Sequence, residues 1–221
     1  MERIRDSRVR QWNPIAIRTT ALLYIIEDMT EVTIFQQLSD HADLLNTRDA
    51  GFSGAEISRG QVVMMMSPSG MHGLTATRIR QQLDPQVTAN APDHVVGLDI
   101  EVENPGIGVR RTPDIIVITE DALETMDRPD PQGALLAVEV VSPSNPDNDY
   151  VGKLRDYPAM GIDRYLIVDP RDGTVHHHWN IKGHGDGATY ANHTEHAFGE
   201  SVDLGDHFTL DTSVLKRYPQ S

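Results

Sequence analysis

At 221 residues, with 38% hydrophobic and 24% charged positions, the chain is long enough to bury a core of its own and too apolar to stay disordered. It contains no cysteine, which excludes disulfides, thiolate metal sites and cysteine nucleophiles and leaves oxygen and imidazole as the available metal donors. A formal net charge of −14 argues against membrane-surface adhesion and against generic nucleic-acid binding, although a local basic patch can coexist with an acidic remainder.

Residues 1–28 mix Arg and Asp with apolar residues at no clear period. The apolar stretch 15–26 is interrupted by Arg18 and followed at once by Glu27 and Asp28, too short and too charged to span a bilayer, so a cytoplasmic protein is expected. From Met29 a helical pattern sets in, with Val32, Ile34, Phe35, Leu38 and Leu44 near one face. The expectation is a single domain over 29–221, preceded by an extension over 1–28 that an over-extended reading frame would explain. Residues 56–66 read as a strand pair turned at Arg59-Gly60 and ended by Pro68. Ser69 is placed to cap a helix whose stripe is Met71, Leu74, Ile79 and Leu83, closed by Asp84-Pro85.

Three strands are predicted next, at 94–102, 113–118 and 134–141; the last two are nearly continuous aliphatic runs suited to burial on both faces. A helix follows from about Tyr150 to Met160, stopped by Gly161. Then come a strand at 164–168, a turn at 169–173 and a strand at 174–179. The Gly- and His-rich stretch 183–197 reads as loop, and a last strand region covers 201–210. No internal repeat or linker interrupts this order, which predicts an α/β fold with a mixed central sheet flanked by helices.

Two acids stand out against their surroundings. Asp114 opens the run DIIVI and Glu139 sits inside LLAVEVV. A carboxylate in hydrocarbon is costly unless a cation or strong donors answer it, and two on neighbouring strands repel each other. A shared divalent cation would resolve both problems; an Arg or a strand-end amide beside each acid would do so equally well. Lys153 follows on the next helix, four residues after Asp149, either as a surface ion pair or as an ammonium returned to the strand end. Glu56, at the start of the first strand pair, is a third candidate acid or else a solvated edge residue. His72, in the turn before the second helix, is a candidate substrate contact or else faces solvent. Arg111 is a further expected substrate contact, and Arg78, Arg80, Arg110, Arg111, Lys153 and Arg155 either converge as a basic surface or lie scattered. His176 and His178 share one face of a strand with His177 on the other, an unpromising metal tract, and GHGDG at 183–187 opens no helix and so is no phosphate loop.

The elements E-I-x-x-G at 56–60, V-V-x-M-x-S-P at 62–68, R-x-P-D-I-I-V at 111–117, V-E-V-V-S-P-S at 138–144, D-x-x-x-K-x-x-x-Y at 149–157 and G-I-x-x-Y-x-I-V-D-P at 161–170, with His72 and G-E-S-V-D-L at 199–204, come in an order and spacing that resembles the Uma-two family of restriction endonucleases, within the PD-(D/E)XK superfamily. The resemblance covers about 30–215 and implies a restriction-endonuclease-like fold with a Mg2+ or Mn2+ site. Pro113-Asp114 matches the PD element, Glu139 the second acid and Glu56 the acid of the first strand; these three are the implied metal ligands. Val141 stands where the superfamily has Lys, and Lys153 matches the lysine this family draws from the following helix. Gln61 stands where the family often has Glu. The expected function is metal-dependent hydrolysis of phosphodiesters, with DNA as partner and a homodimer by analogy. The alternatives are a silent nuclease-fold binding module or a hydrolase of a small phosphoester.

Overall fold

The computed structural model describes residues 31–46, 52–205 and 207–219; the expected extension over 1–28 lies outside them. Helix α1 (Glu31–Asn46) precedes the hairpin β1 (Phe52–Ser58) and β2 (Gln61–Met66), helix α2 (Gly70–Asn90), and strands β3 (His94–Leu98), β4 (Val102–Asn104), β5 (Val109–Arg111) and β6 (Ile115–Thr119). Then follow α3 (Glu120–Thr125), β7 (Leu136–Val140), a π-helical turn (Asn148–Lys153) running into α4 (Leu154–Ala159), and β8 (Arg164–Asp169). Strands β9 (Thr174–Lys182) and β10 (Thr189–Ala197) and the hairpin β11 (Ser201–Gly205) and β12 (Phe208–Asp211) complete the order.

The aliphatic runs form the middle of the main sheet, whose strand order is β10-β9-β8-β7-β6-β3. Only β7 and β8 pair in parallel; their crossover carries the π turn and α4. Side chains alternate across each strand, so a run buried on both faces feeds two cores. On one face, Ile79, Leu83 and Val87 of α2 meet Val117, Val138 and Leu166, with Val202 and Phe208 of the last hairpin beside them. On the other, Ile116, Ala137 and Ile167 meet Tyr157 and Met160 near α4. A second sheet, β2-β1-β5-β4, rests against α1 through Phe35, Ala42, Ala55 and Ile57. The result is the expected mixed sheet flanked by helices.

Three local expectations change. The strand over 94–102 breaks at Asp99, whose φ of 51° turns the chain from β3 in the main sheet to β4 in the second. The segment 183–197 is not all loop: 189–197 is β10, paired with β9 from Thr189 opposite Lys182 to Ala197 opposite Thr174. Its mostly exposed, polar side chains give no apolar alternation to read, because an edge strand is held by its neighbour's backbone. Helix α2 does not close at Asp84-Pro85 but continues to Asn90. The proline removes one backbone bond, and the second half of the helix is held elsewhere. Leu83 and Val87 are buried, and Gln82 and Gln86 each exchange a pair of hydrogen bonds with the β12 backbone, at Asp211 and Thr209. Replacing Pro85 by Ala should therefore stabilise the protein by about 1–3 kcal/mol in urea unfolding, because the proline sits in a helix interior. An unchanged or lowered midpoint would contradict the continuous helix.

Candidate active site

The site forms because β6 and β7 run antiparallel. The start of one lies beside the end of the other, with Ile115 opposite Val138, so Asp114 is carried to the strand end that holds Glu139. Asp114 Oδ2 accepts the Val140 N–H at 2.7 Å, and Oδ1 lies 2.9 Å from His72 Nε2. His72 reaches this point from the first turn of α2, where its own N–H is capped by Ser69 Oγ at 3.2 Å. The solvent-facing alternative for His72 is thereby replaced by a half-buried ring on Asp114.

Glu139 is 2% exposed. One oxygen accepts a hydrogen bond from the Tyr157 hydroxyl and the other lies 2.7 Å from Lys153 Nζ. Lys153, 1% exposed, ends the π-helical turn; such widened turns are frequent at functional sites. Its ammonium also lies 3.5 Å from Asp149 Oδ1 and 3.7 Å from Glu56 Oε1. The surface ion pair weighed for Asp149 and Lys153 is thus a buried one. Glu56, 1% exposed, comes from β1 of the second sheet. Its oxygens are taken by Arg111 at 2.7 Å and the Thr112 N–H at 3.0 Å.

Behind Glu56 stands a second ionic layer. Arg111 spans from Glu56 to Asp156, at 2.6 Å, and also donates to Asn148 at 3.0 Å. Asp156 is fully buried and additionally accepts from Ser58, Arg59 and Arg155. Arg111, expected to contact substrate, is instead buried on these partners and does not line the cavity. Of the two alternatives for the six basic residues, the structure favours the scattered one: Arg110, Arg111 and Lys153 are buried against acids, Arg155 pairs with Asp156 and Arg80 with Asp84. Glu56, expected as a metal ligand, is likewise committed to Arg111 and the Thr112 amide.

The electrostatics follow from crowding. A cavity of about 450 Å3 is lined by Glu56, Asp99, Glu101, Asp114, Glu139 and Asp149, with Lys153 the lone ammonium among its lining residues. Burial and the charges of Asp114, Asp149 and Glu56 push the Glu139 carboxyl well above its ordinary range against the pull of Lys153. Burial, with Asp114 and Glu56, likewise pushes Asp149 up to about 6. Burial opposes the charge on Lys153, but four surrounding carboxylates raise its proton affinity and keep it an ammonium. Burial would raise Glu56 too, yet Lys153, Arg111 and the Thr112 amide hold it below its ordinary value. Burial opposes a charge on His72, and the Asp114 carboxylate more than offsets that.

The structure thus brings Glu56, His72, Asp114, Glu139 and Lys153 to one cavity and leaves Arg111 outside it. Four further acids and hydroxyls of this cluster, Asp149, Tyr157, Asp99 and Asp156, have no site role in the sequence expectations. The first two were signalled by the four-residue spacing Asp149, Lys153, Tyr157, one face of a helix. Asp99 and Asp156 carry no comparable signal. Elsewhere, His176 and His178 share a face as expected, and His176 Nδ1 lies 3.2 Å from His193 Nε2. Among the described residues no group of three or more His, Asp or Glu converges on a metal position. Magnesium asks for less: one or two carboxylates, with water and substrate phosphate completing the shell. Asp114 and Glu139 are oxygen donors of that kind, in a cavity short of positive charge.

A mixed sheet with helices on its faces and an acid pair at the junction of antiparallel and parallel strands defines a restriction-endonuclease-like domain. Residues 51–213 match the Uma2 family, described as "putative restriction endonuclease", and the chain belongs to that family. A crystal structure of a putative nuclease belonging to DUF820 from Anabaena variabilis superposes with a TM-score of 0.60 at 13% identity, covering 78% of this chain and 94% of that one. No curated protein matches the chain. No helix among the described residues is long and apolar enough to cross a membrane.

The acid crowding has a measurable sign. A carboxyl raised in the folded state, from 3.8 to about 6 for Asp149, favours folding below its unfolded value, and that contribution is lost as pH rises through about 6. In urea unfolding without divalent metal, Asp149→Asn should gain stability relative to the native chain at about pH 7.5 and show little gain at about pH 4. An equal difference at both would contradict this account.

Proposed function

We propose that the protein is a metal-dependent phosphodiesterase acting on DNA, with Mg2+ or Mn2+ held by Asp114 and Glu139. The observation that carries this reading is the convergence of two strand-end carboxylates and a buried lysine in one cavity that has more acid than base. Family membership supports a nuclease; the metal, the DNA substrate and the residue roles are this proposal's own.

A bound divalent cation would supply Lewis acidity, lowering the pKa of a water and polarising the scissile phosphate. The chain's own groups divide the remaining tasks. Asp114 is fixed by the Val140 N–H and His72, so its carboxylate is preorganised at the strand end. Lys153 stays protonated in its acid surround and offers fixed positive charge where phosphoryl transfer develops negative charge. Tyr157 orients Glu139 by donating to one oxygen. Glu56, anchored by Arg111 and Thr112, positions Lys153 instead of binding metal. His72 lines the cavity and is the remaining candidate to meet substrate.

A silent binding module is the second reading. It is favoured by the present closure of both Glu139 oxygens by Tyr157 and Lys153. Incubation of plasmid and oligonucleotide DNA with the protein and Mg2+ or Mn2+ separates the two. Hydrolysis should be lost in Asp114→Ala and in Glu139→Ala, and should fall about 10²–10³-fold in Lys153→Met, the range for removing one preorganised electrostatic group. Cation binding by the native chain without hydrolysis of either DNA would overturn the enzyme reading in favour of the module.

A further inference from the structure

The cavity that holds the acids also constrains what can reach them. Glu139 and Lys153 are 2% and 1% exposed, while the Asp114 side chain is 18% exposed. A phosphodiester meeting all three must enter the cavity and bring an attached nucleoside with it. The volume of about 450 Å3 falls within the range of pockets that enclose a small ligand. That suits one nucleotide and not a length of duplex.

The walls sort by chemistry. On the β2 side, Met65 faces the site beside Asn148, whose Nδ2 lies 3.9 Å from its sulfur, and Pro68 continues the apolar surface. The lining also includes Ser144 and Asn145, uncharged groups able to hydrogen-bond a base edge or sugar, while Asn148 is already held by Arg111 and Glu56. Apolar walls with a few uncharged polar groups are what pockets for unstacked bases use. The charge distribution points the same way. Every Lys and Arg among the described residues is in an ion pair with a carboxylate except Arg78, Lys182, Lys216 and Arg217. Arg78 donates instead to the Val214 carbonyl, at 2.6 Å. Tracking a duplex takes many phosphate contacts from uncommitted cations, and the cavity lining offers only Lys153.

We infer that the cavity takes one unpaired nucleotide, its base against Met65 and Pro68, and that the substrate is a single DNA strand. This rests on the proposed hydrolysis of DNA and narrows it to one form of the substrate. It is tested apart from cleavage by fluorescence anisotropy of the full chain with a labelled single-stranded oligonucleotide and its duplex. Calcium stands in for magnesium, and salt is raised from about 50 to about 200 mM. The single strand should bind at least about tenfold tighter than the duplex and lose less than about tenfold over the salt range, as expected for one or two released phosphates. Met65→Ala should weaken single-strand binding by about five- to tenfold, the loss expected for about one to two methylene-sized groups of apolar contact, and Met65→Leu should restore it. Equal or tighter duplex binding, a loss of about 100-fold or more with salt, or no binding of either form would overturn the inference. So would unchanged binding by Met65→Ala. Single-strand binding as described, without hydrolysis when magnesium is supplied, would sink the enzyme reading and leave only the cavity's binding of an unpaired nucleotide standing. Hydrolysis of duplex as fast as of single strands would do the reverse.

Discussion

The buried contact between Lys153 and Glu139 is the constraint around which the rest of this molecule is arranged. Neither charge would be tolerated alone at that depth, and the 2.7 Å pair is satisfied only because further groups complete it. Tyr157 takes the other oxygen of Glu139, while Glu56 and Asp149 flank the ammonium. Arg111 then balances Glu56, and Asp156 balances Arg111. The chain of partners runs from the main sheet through the π turn to the hairpin of the second sheet, so the two sheets are joined through charge as well as through apolar packing. Removing Glu139 or Lys153 would leave its partner buried and uncompensated, the expensive case for ionic groups.

The same arrangement explains why the cluster remains chemically poised. A network built only for stability would balance its charges. Here Arg111 answers Glu56 and Arg128 answers Glu101, but Asp99, Asp114, Glu139 and Asp149 have only Lys153 and His72 among the cavity's lining residues, and burial with mutual repulsion raises the proton affinity of Glu139 and Asp149. A site left short of positive charge has a use for another cation, and the hard oxygen donors of Asp114 and Glu139 define which kind. The overall charge of −14, which at first weighs against nucleic acid, is better understood locally. Six acids line the cavity where a metal would neutralise charge, and most of the cations among the described residues are already in ion pairs.

Much of this was legible in the residues. The runs around Ile115 and Val138 announced buried central strands, and an acid in each was conspicuous because hydrocarbon neighbours make it costly. That those strands are neighbours was a supposition about consecutive strands, which the pairing of Ile115 with Val138 bears out. What stayed hidden depended on tertiary context. Arg111 lies two residues before Pro113, where a substrate role was expected, yet the β1–β5 pairing turns it inward to Glu56 and Asp156. Strand β10 has no apolar alternation because it lies at the edge. Pro85 looked like a stop because the glutamine contacts to β12 join residues more than 120 positions apart. Asp156 gave no sign because its four donors come from three separate segments of the chain.

The claim that this cavity is short of positive charge is tested most directly by calorimetric titration of the protein with Mn2+ in two buffers of different ionisation heat, near pH 6, where Asp149 carries part of a proton. The account predicts saturable binding that releases protons, lost when Asp114 or Glu139 is replaced by its amide. Absence of binding by the native chain, or binding that is indifferent to both replacements, would contradict it.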